Sequence, residues 1–201
     1  MCDDATSPRD TVDITELAAL VEPCRSGEPL AWETFVRGFQ GRIFALSYSY
    51  VGDREEARDL AQEIFVRLYE TRDQWVTGDQ FLPWLFRVAR NRSVDYLRRR
   101  KVRTPALTVS EDMLADLPDH APTPEAQAVA SDRRSLLHAA LRGLSAINRE
   151  IVVLRDVHGL SVQHVASVLG IPVGTVKSRA SRARVELTEK VLALSRGRGD
   201  A

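Results

Sequence analysis

Hydrophobic residues along this chain recur at helical spacing in two blocks, separated by a polar, proline-rich stretch. Leu30, Phe35, Phe39, Ile43, Phe44 and Leu46 predict a long helix that stops before Gly52-Asp53. Ala57, Leu60, Ala61, Ile64, Phe65 and Leu68 predict a second, from Arg54 to Glu70. A third begins near Phe81, tolerates Pro83 in its first turn, and reaches Lys101. A short helix is expected before them, from Ile14 to Val21. In the second block, Leu136, Leu137, Ala140, Leu141 and Leu144, then Ile147, Ile151, Val152 and Leu154, continue the pattern up to Gly159. No alternating strand pattern and no internal repeat appears. The expected fold class is all-α, with two small helical domains joined by a flexible acidic linker. Residues 1–27 read as an acidic tail, 28–102 as the first domain, 103–130 as the linker, 131–196 as the second domain and 197–201 as a short tail.

The last helices carry the most specific pattern. Val162, Val165, Ala166 and Leu169 form one buried face of a short helix. Gly170 supplies the backbone freedom for a sharp turn, and Pro172 cannot extend the preceding helix. Val173, Val176, Ala180, Ala183 and Leu187 then line one side of a second helix, opposite Ser178 and Arg182, with Thr175, Lys177, Arg179 and Ser181 beside them. This is a helix-turn-helix pattern, and its outer face of cations and short hydroxyls suits a DNA major groove. A cationic face alone would equally suit a solvated bundle helix; the Gly-x-Pro turn favours DNA.

Formal charge sums to zero over the 201 residues, yet it is segregated. Residues 81–104 carry +7 and residues 161–201 carry +4, while residues 105–130 between them carry −5. Two basic blocks around an acidic spacer point to two nucleic-acid contacts. The third helix (Phe81 to Lys101) leaves Arg87, Arg90, Asn91, Arg92, Asp95, Arg98 and Arg99 outside, with Trp75, Phe81 and Trp84 close by. Cations for phosphates beside aromatics for stacking suit melted DNA. The alternative is that these aromatics are core residues.

Other chemistries find little support. Cys2 and Cys24 are too far apart for a paired-thiol metal knuckle, and His120, His138, His158 and His164 are scattered. No metal, cofactor or catalytic constellation is expected. No apolar run is long enough to span a bilayer and the start is acidic, so a cytoplasmic protein without membrane insertion is expected.

Three segments together resemble bacterial RNA polymerase sigma factors of the sigma-70 family: DREEARDLAQEIFVRLY (from Asp53), WLFRVARNRSVDYLRRR (from Trp84) and GLSVQHVASVLGIPVGTVKSRASRAR (to Arg184). The short length and the linker resemble the extracytoplasmic-function (ECF) subgroup. The resemblance implies that Asp59, Gln62 and Glu63 dock on the clamp helices of the largest subunit of core RNA polymerase. It further implies that Asn91, with Arg87, Arg92, Asp95 and Arg98, reads the −10 element, and that the loop from Thr71 to Gln80 captures a flipped base. Thr175, Lys177, Ser178, Arg179 and Arg182 would contact the −35 element. Partners implied are core polymerase, promoter DNA and an anti-sigma factor. Two rivals remain at this point: a free-standing helix-turn-helix regulator acting without polymerase, and a DNA recombinase or nuclease whose nucleophile would have to be Ser47, Ser49 or Tyr50.

Overall fold

The computed structural model describes Leu17, residues 19–103 and residues 136–199. Of the helix expected over Ile14 to Val21, Leu17 and residues 19–21 are described, with Leu17, residue 19 and Val21 helical, while residues 14–16 and 18 lie outside the described residues, as does the linker expected over 103–130 beyond residue 103. The described residues are helical with no strand. The elements are α1 (Val21–Arg25), α2 (Pro29–Val51), α3 (Arg54–Glu70), α4 (Phe81–Arg103), a helical segment over 136–142, α5 (Ala146–Val152), α6 (Val162–Leu169) and α7 (Val173–Gly199).

Proline at the first turn starts α2, where its missing N–H costs nothing. Gly52 ends the helix in the left-handed region (φ 74°), its N–H donating to the Tyr48 carbonyl at 2.9 Å. One residue later Asp53 caps α3, accepting from the Glu56 N–H at 2.9 Å. This tight junction folds α3 back against α2. The apolar stripes Phe35, Phe39, Ile43 and Leu46 of α2, Leu60, Ile64 and Leu68 of α3, and Phe81, Leu85 and Phe86 of α4 close a three-helix core. Burying each such side chain is worth about 1.5–3 kcal/mol.

In the second block, Ser161 caps α6 by accepting from the His164 N–H at 3.1 Å, and Gly170 (φ 67°) closes it. Val176, Ala180 and Ala183 of α7 are buried as the periodicity requires. One feature departs from the regular pattern: α5 runs into a π-helical turn over Val153–Val157, with the His158 N–H donating to the Val153 carbonyl at 3.0 Å. Arg149 staples this region. Its guanidinium donates to the carbonyls of Leu141 (2.9 Å), Arg142 (2.8 Å) and Leu144 (3.3 Å), and also to Ser49 of α2 (3.2 Å). The core is therefore continuous across the two blocks: Ile151, Val153, Leu154, Val165 and Val168 pack in the same cluster as the α2–α4 core.

Candidate nucleic-acid interface

The turn between α6 and α7 sets the pose of the α7 outer face. Lys177, Ser178, Arg179 and Arg182 all stand exposed, and Thr175 is half-buried at the start of that face. Ser178 donates its hydroxyl to the Thr175 carbonyl at 3.1 Å, which keeps it short against the helix. Arg184 is turned away, paired with Asp156 at the end of the π-helical turn.

The cations of α4 are placed differently. Arg87 donates to both the carbonyl (2.6 Å) and the hydroxyl (2.8 Å) of Ser167 in α6. Arg90 donates from Nε to Glu150 at 2.9 Å in a largely buried pair. Arg92 and Arg99 flank Glu63 of α3 at 3.3 and 3.5 Å. Arg98 pairs with Asp95 at 3.5 Å and Arg100 with Glu56 at 2.7 Å. Asn91, Asp95 and Arg98 lie on exposed surface; Arg92 is half-buried.

On α3, Asp59 and Gln62 are exposed, whereas Glu63 is half-buried and faces the α4 arginines. Gln62 also lines a groove of about 650 Å³ with Trp32, Val36, Phe65, Val66 and Tyr69. Val66 is 58% exposed and Tyr69 45%, an apolar strip beside the acids that reading the sequence for a polar outer face missed. The signal was present: Val66 and Tyr69 stand four and seven residues after Gln62, on the same side of the helix. Cys24 borders this groove; burial, then the nearby Glu28, pushes its thiol up to about 11.

The aromatics near α4 need a correction. Trp75 and Phe81 are buried core residues, with the Trp75 indole N–H donating to the Leu68 carbonyl at 3.0 Å. They pack against Phe35 and Phe39 of α2 in tilted and edge-on contacts, and their burial leaves no face free for bases. Trp84 is half-buried. In the loop from Thr71 to Gln80, two 3₁₀ turns flank Trp75, and Val76, Thr77, Gly78, Asp79 and Gln80 are exposed. The buried indole thus anchors a loop whose tip is free.

No cluster of histidine, cysteine or carboxylate side chains with metal-binding geometry occurs among the described residues. No described helix is long and apolar enough to cross a membrane.

Comparison with known proteins places this arrangement. A family model of sigma-70 region 2 matches residues 35–103, and one of sigma-70 region 4 matches residues 134–187. The RNA polymerase sigma-H factor of Pseudomonas aeruginosa is 34% identical over 178 residues, covering 86% of this chain and 92% of its own length. The ECF RNA polymerase sigma-E factor of Haemophilus influenzae is 30% identical over 182 residues, covering 86% and 94%. Among solved structures, the sigma factor RpoE of Bartonella quintana, in complex with the anti-sigma factor NepR, aligns with a TM-score of 0.59 at 26% identity over 88% of this chain and 94% of that one. CnrH, solved with the cytosolic domain of CnrY, shares the fold at a TM-score of 0.63 and 24% identity, covering 88% and 97%. Two region matches in the right order and relatives aligned over nearly their full length lead to one conclusion: the chain belongs to the ECF group of RNA polymerase sigma factors, which are initiation factors and not enzymes.

Proposed function

We propose that this chain docks on core RNA polymerase through the outer face of α3 and confers promoter selectivity through two separate surfaces. The docking set is Asp59 and Gln62, with Glu63 at its α4-facing edge where it pairs with Arg92 and Arg99, extended by the apolar strip of Val66 and Tyr69. The −10 surface is the face of α4 carrying Asn91, with Arg87, Arg92, Asp95 and Arg98, and the −35 surface is the outer face of α7. The first domain (28–102) and the second (131–196) act as tethered modules, and polymerase supplies the effective concentration that neither module has alone. The observation that carries this reading is the free cationic face of α7, standing just past a capped, glycine-closed turn in a chain with a separate cationic helix.

Core polymerase meets DNA largely through phosphates, which position without specifying. A subunit that reads duplex with α7 and holds unstacked bases at α4 adds base discrimination and favours the melted state, because it binds only the open form. The chain works in the cytoplasm, with the polymerase. An anti-sigma factor is the expected regulator; the Bartonella quintana relative RpoE is itself found in complex with the anti-sigma factor NepR. Run-off transcription on a promoter library tests the reading. Transcripts specific to a promoter subset, and dependent on both core polymerase and this chain, are expected. Sequence-specific DNA binding that ignores polymerase would overturn it in favour of a free-standing regulator.

A further inference from the structure

The rotation of α7 about its own axis decides where Lys177, Arg179 and Arg182 project. Apolar packing does little to fix that rotation. On its covered side α7 buries Val176, Ala180 and Ala183, with Leu187 only partly covered, and Ala183 closes a small cluster with Leu141, Leu144 and Val152. Alanine methyls let helices approach closely but form low ridges, which resist turning weakly. A polar contact near the middle of the helix, from Asn148 Nδ2 to Glu186 Oε2, is long at 3.4 Å and is a single bond. Arg184 provides the firmer hold. Its Nε donates to one oxygen of Asp156 at 3.0 Å and its Nη2 to the other, a two-bond fork. We propose that Asp156 is a positioning residue for −35 reading: by gripping Arg184 at two points it fixes the rotation of α7. This rests on the reading of α7 as the −35 surface.

The fork is well placed for this. Arg184 follows Arg182 by two residues, about 200° further round the helix, so the grip falls on the side away from the free cations. A turn of about 15° carries surface atoms, about 6 Å from the axis, through about 1.5 Å, half the length of a hydrogen bond. Asp156 is itself the only carboxylate of the π-helical turn Val153–Val157, and such turns are rare and occur mostly at functional sites. The turn is held firmly: Val153, Leu154 and His158 are buried, and the His158 N–H closes it onto the Val153 carbonyl at 3.0 Å. Arg155, next to Asp156 in sequence, comes only to 4.0 Å and does not displace Arg184. With side chains 31% and 50% exposed, the Asp156–Arg184 pair adds little to stability; what it supplies is direction.

The test uses the full-length chain with core polymerase, on a preferred promoter and the same promoter carrying single-base −35 substitutions. Asp156→Asn keeps the shape and turns one acceptor into a donor facing the guanidinium. Arg184→Lys keeps the charge pair but replaces the fork by a single point. Both variants should melt within about 2 °C of wild type. In both, transcription from the preferred promoter should fall about threefold to tenfold while the substituted promoters lose less, so that the preference for the best −35 sequence shrinks about threefold. A residue serving stability alone would lower all promoters alike, through the amount of folded chain. Equal loss at all promoters, or an undiminished preference in a folded variant, overturns the proposal. So does an Arg184→Lys chain that matches wild type, since charge without the fork would then suffice. If Asp156→Asn melts early, Arg184→Lys decides alone. A wild type that discriminates, beside variants that discriminate equally well, leaves the reading of α7 standing and removes Asp156 from it. A wild type indifferent to every −35 base removes both.

Discussion

The two cationic helices of this protein differ in how their charges are spent. On α7, Lys177, Arg179 and Arg182 stand exposed and make no ion pair among the described residues. On α4, each of the six arginines from Arg87 to Arg100 already has an acceptor: Ser167, Glu150, Glu63 for two of them, Asp95 and Glu56. A helix with free cations binds phosphate at the cost of counterions only, so the duplex contact proposed for α7 requires no internal ion pair to be broken. A helix with paired cations must exchange one acceptor for another, so its net gain is smaller and depends more on geometry. That asymmetry fits a surface that reads readily available duplex and one that waits for a strand exposed only after melting.

The largest expected effect separates α4 as scaffold from α7 as reader. Phe86→Ala removes a fully buried side chain packed on His158 and should cost about 3–5 kcal/mol in denaturant unfolding. Val185→Ala on α7, at a position 59% exposed, should stay within about 0.5 kcal/mol. Equal losses would erase the distinction.

Acid probes the same boundary. Burial, then the nearby Arg42, holds the His158 imidazole down at about 3 from an ordinary 6.5, so the folded protein keeps it neutral. The unfolded chain takes up that proton first. This stability contribution is complete above pH 6.5 and is lost as pH falls from there towards 3, with a slope approaching about 1.4 kcal/mol per pH unit. Urea titrations at stepped pH should show it, and His158→Phe should flatten this component.

Smaller effects sharpen the comparison at the DNA faces. Arg182→Ala should relax selectivity at one −35 position by about 1–3 kcal/mol, read from transcription across promoter variants. Uniform loss at all sequences would make Arg182 a phosphate contact instead. Smallest of all, Lys177→Ala should lower the salt dependence of promoter binding by about one ion, whereas Arg92→Ala should lower it by less, because Arg92 is already partly neutralised by Glu63. Equal slopes for the two variants would mean that internal pairing does not matter.

What the sequence made legible was local. Gly52-Asp53 and Gly170-x-Pro172 announced two junctions because the left-handed turn and the side-chain cap depend on single residues. The buried stripes of α2, α3 and α6 followed from periodicity for the same reason. The exposed cationic face proposed to read −35 was legible because α7 is solvated on that side, where spacing alone decides what projects. Long-range facts were not visible. Trp75 and Phe81 resembled base-stacking residues since an aromatic beside cations looks alike whether it faces water or Phe35. Glu63 looked like a plain outer-face acid because its partners Arg92 and Arg99 are brought to it only by the packing of α4. Neither periodicity nor capping chemistry marks the buried Glu150 or announces a π-helical turn at Val153–Val157.

Arg149 shows how little freedom such packing can leave at one position. Four of the five N–H bonds of its planar head are directed at four carbonyls, three closing the turn after residue 142 and one reaching back to the first domain. Lysine, with a single ammonium at the end of a flexible stem, cannot span acceptors so far apart. The swap usually regarded as mildest is therefore ruled out, and the local turn and the bridge between domains must be inherited or lost together.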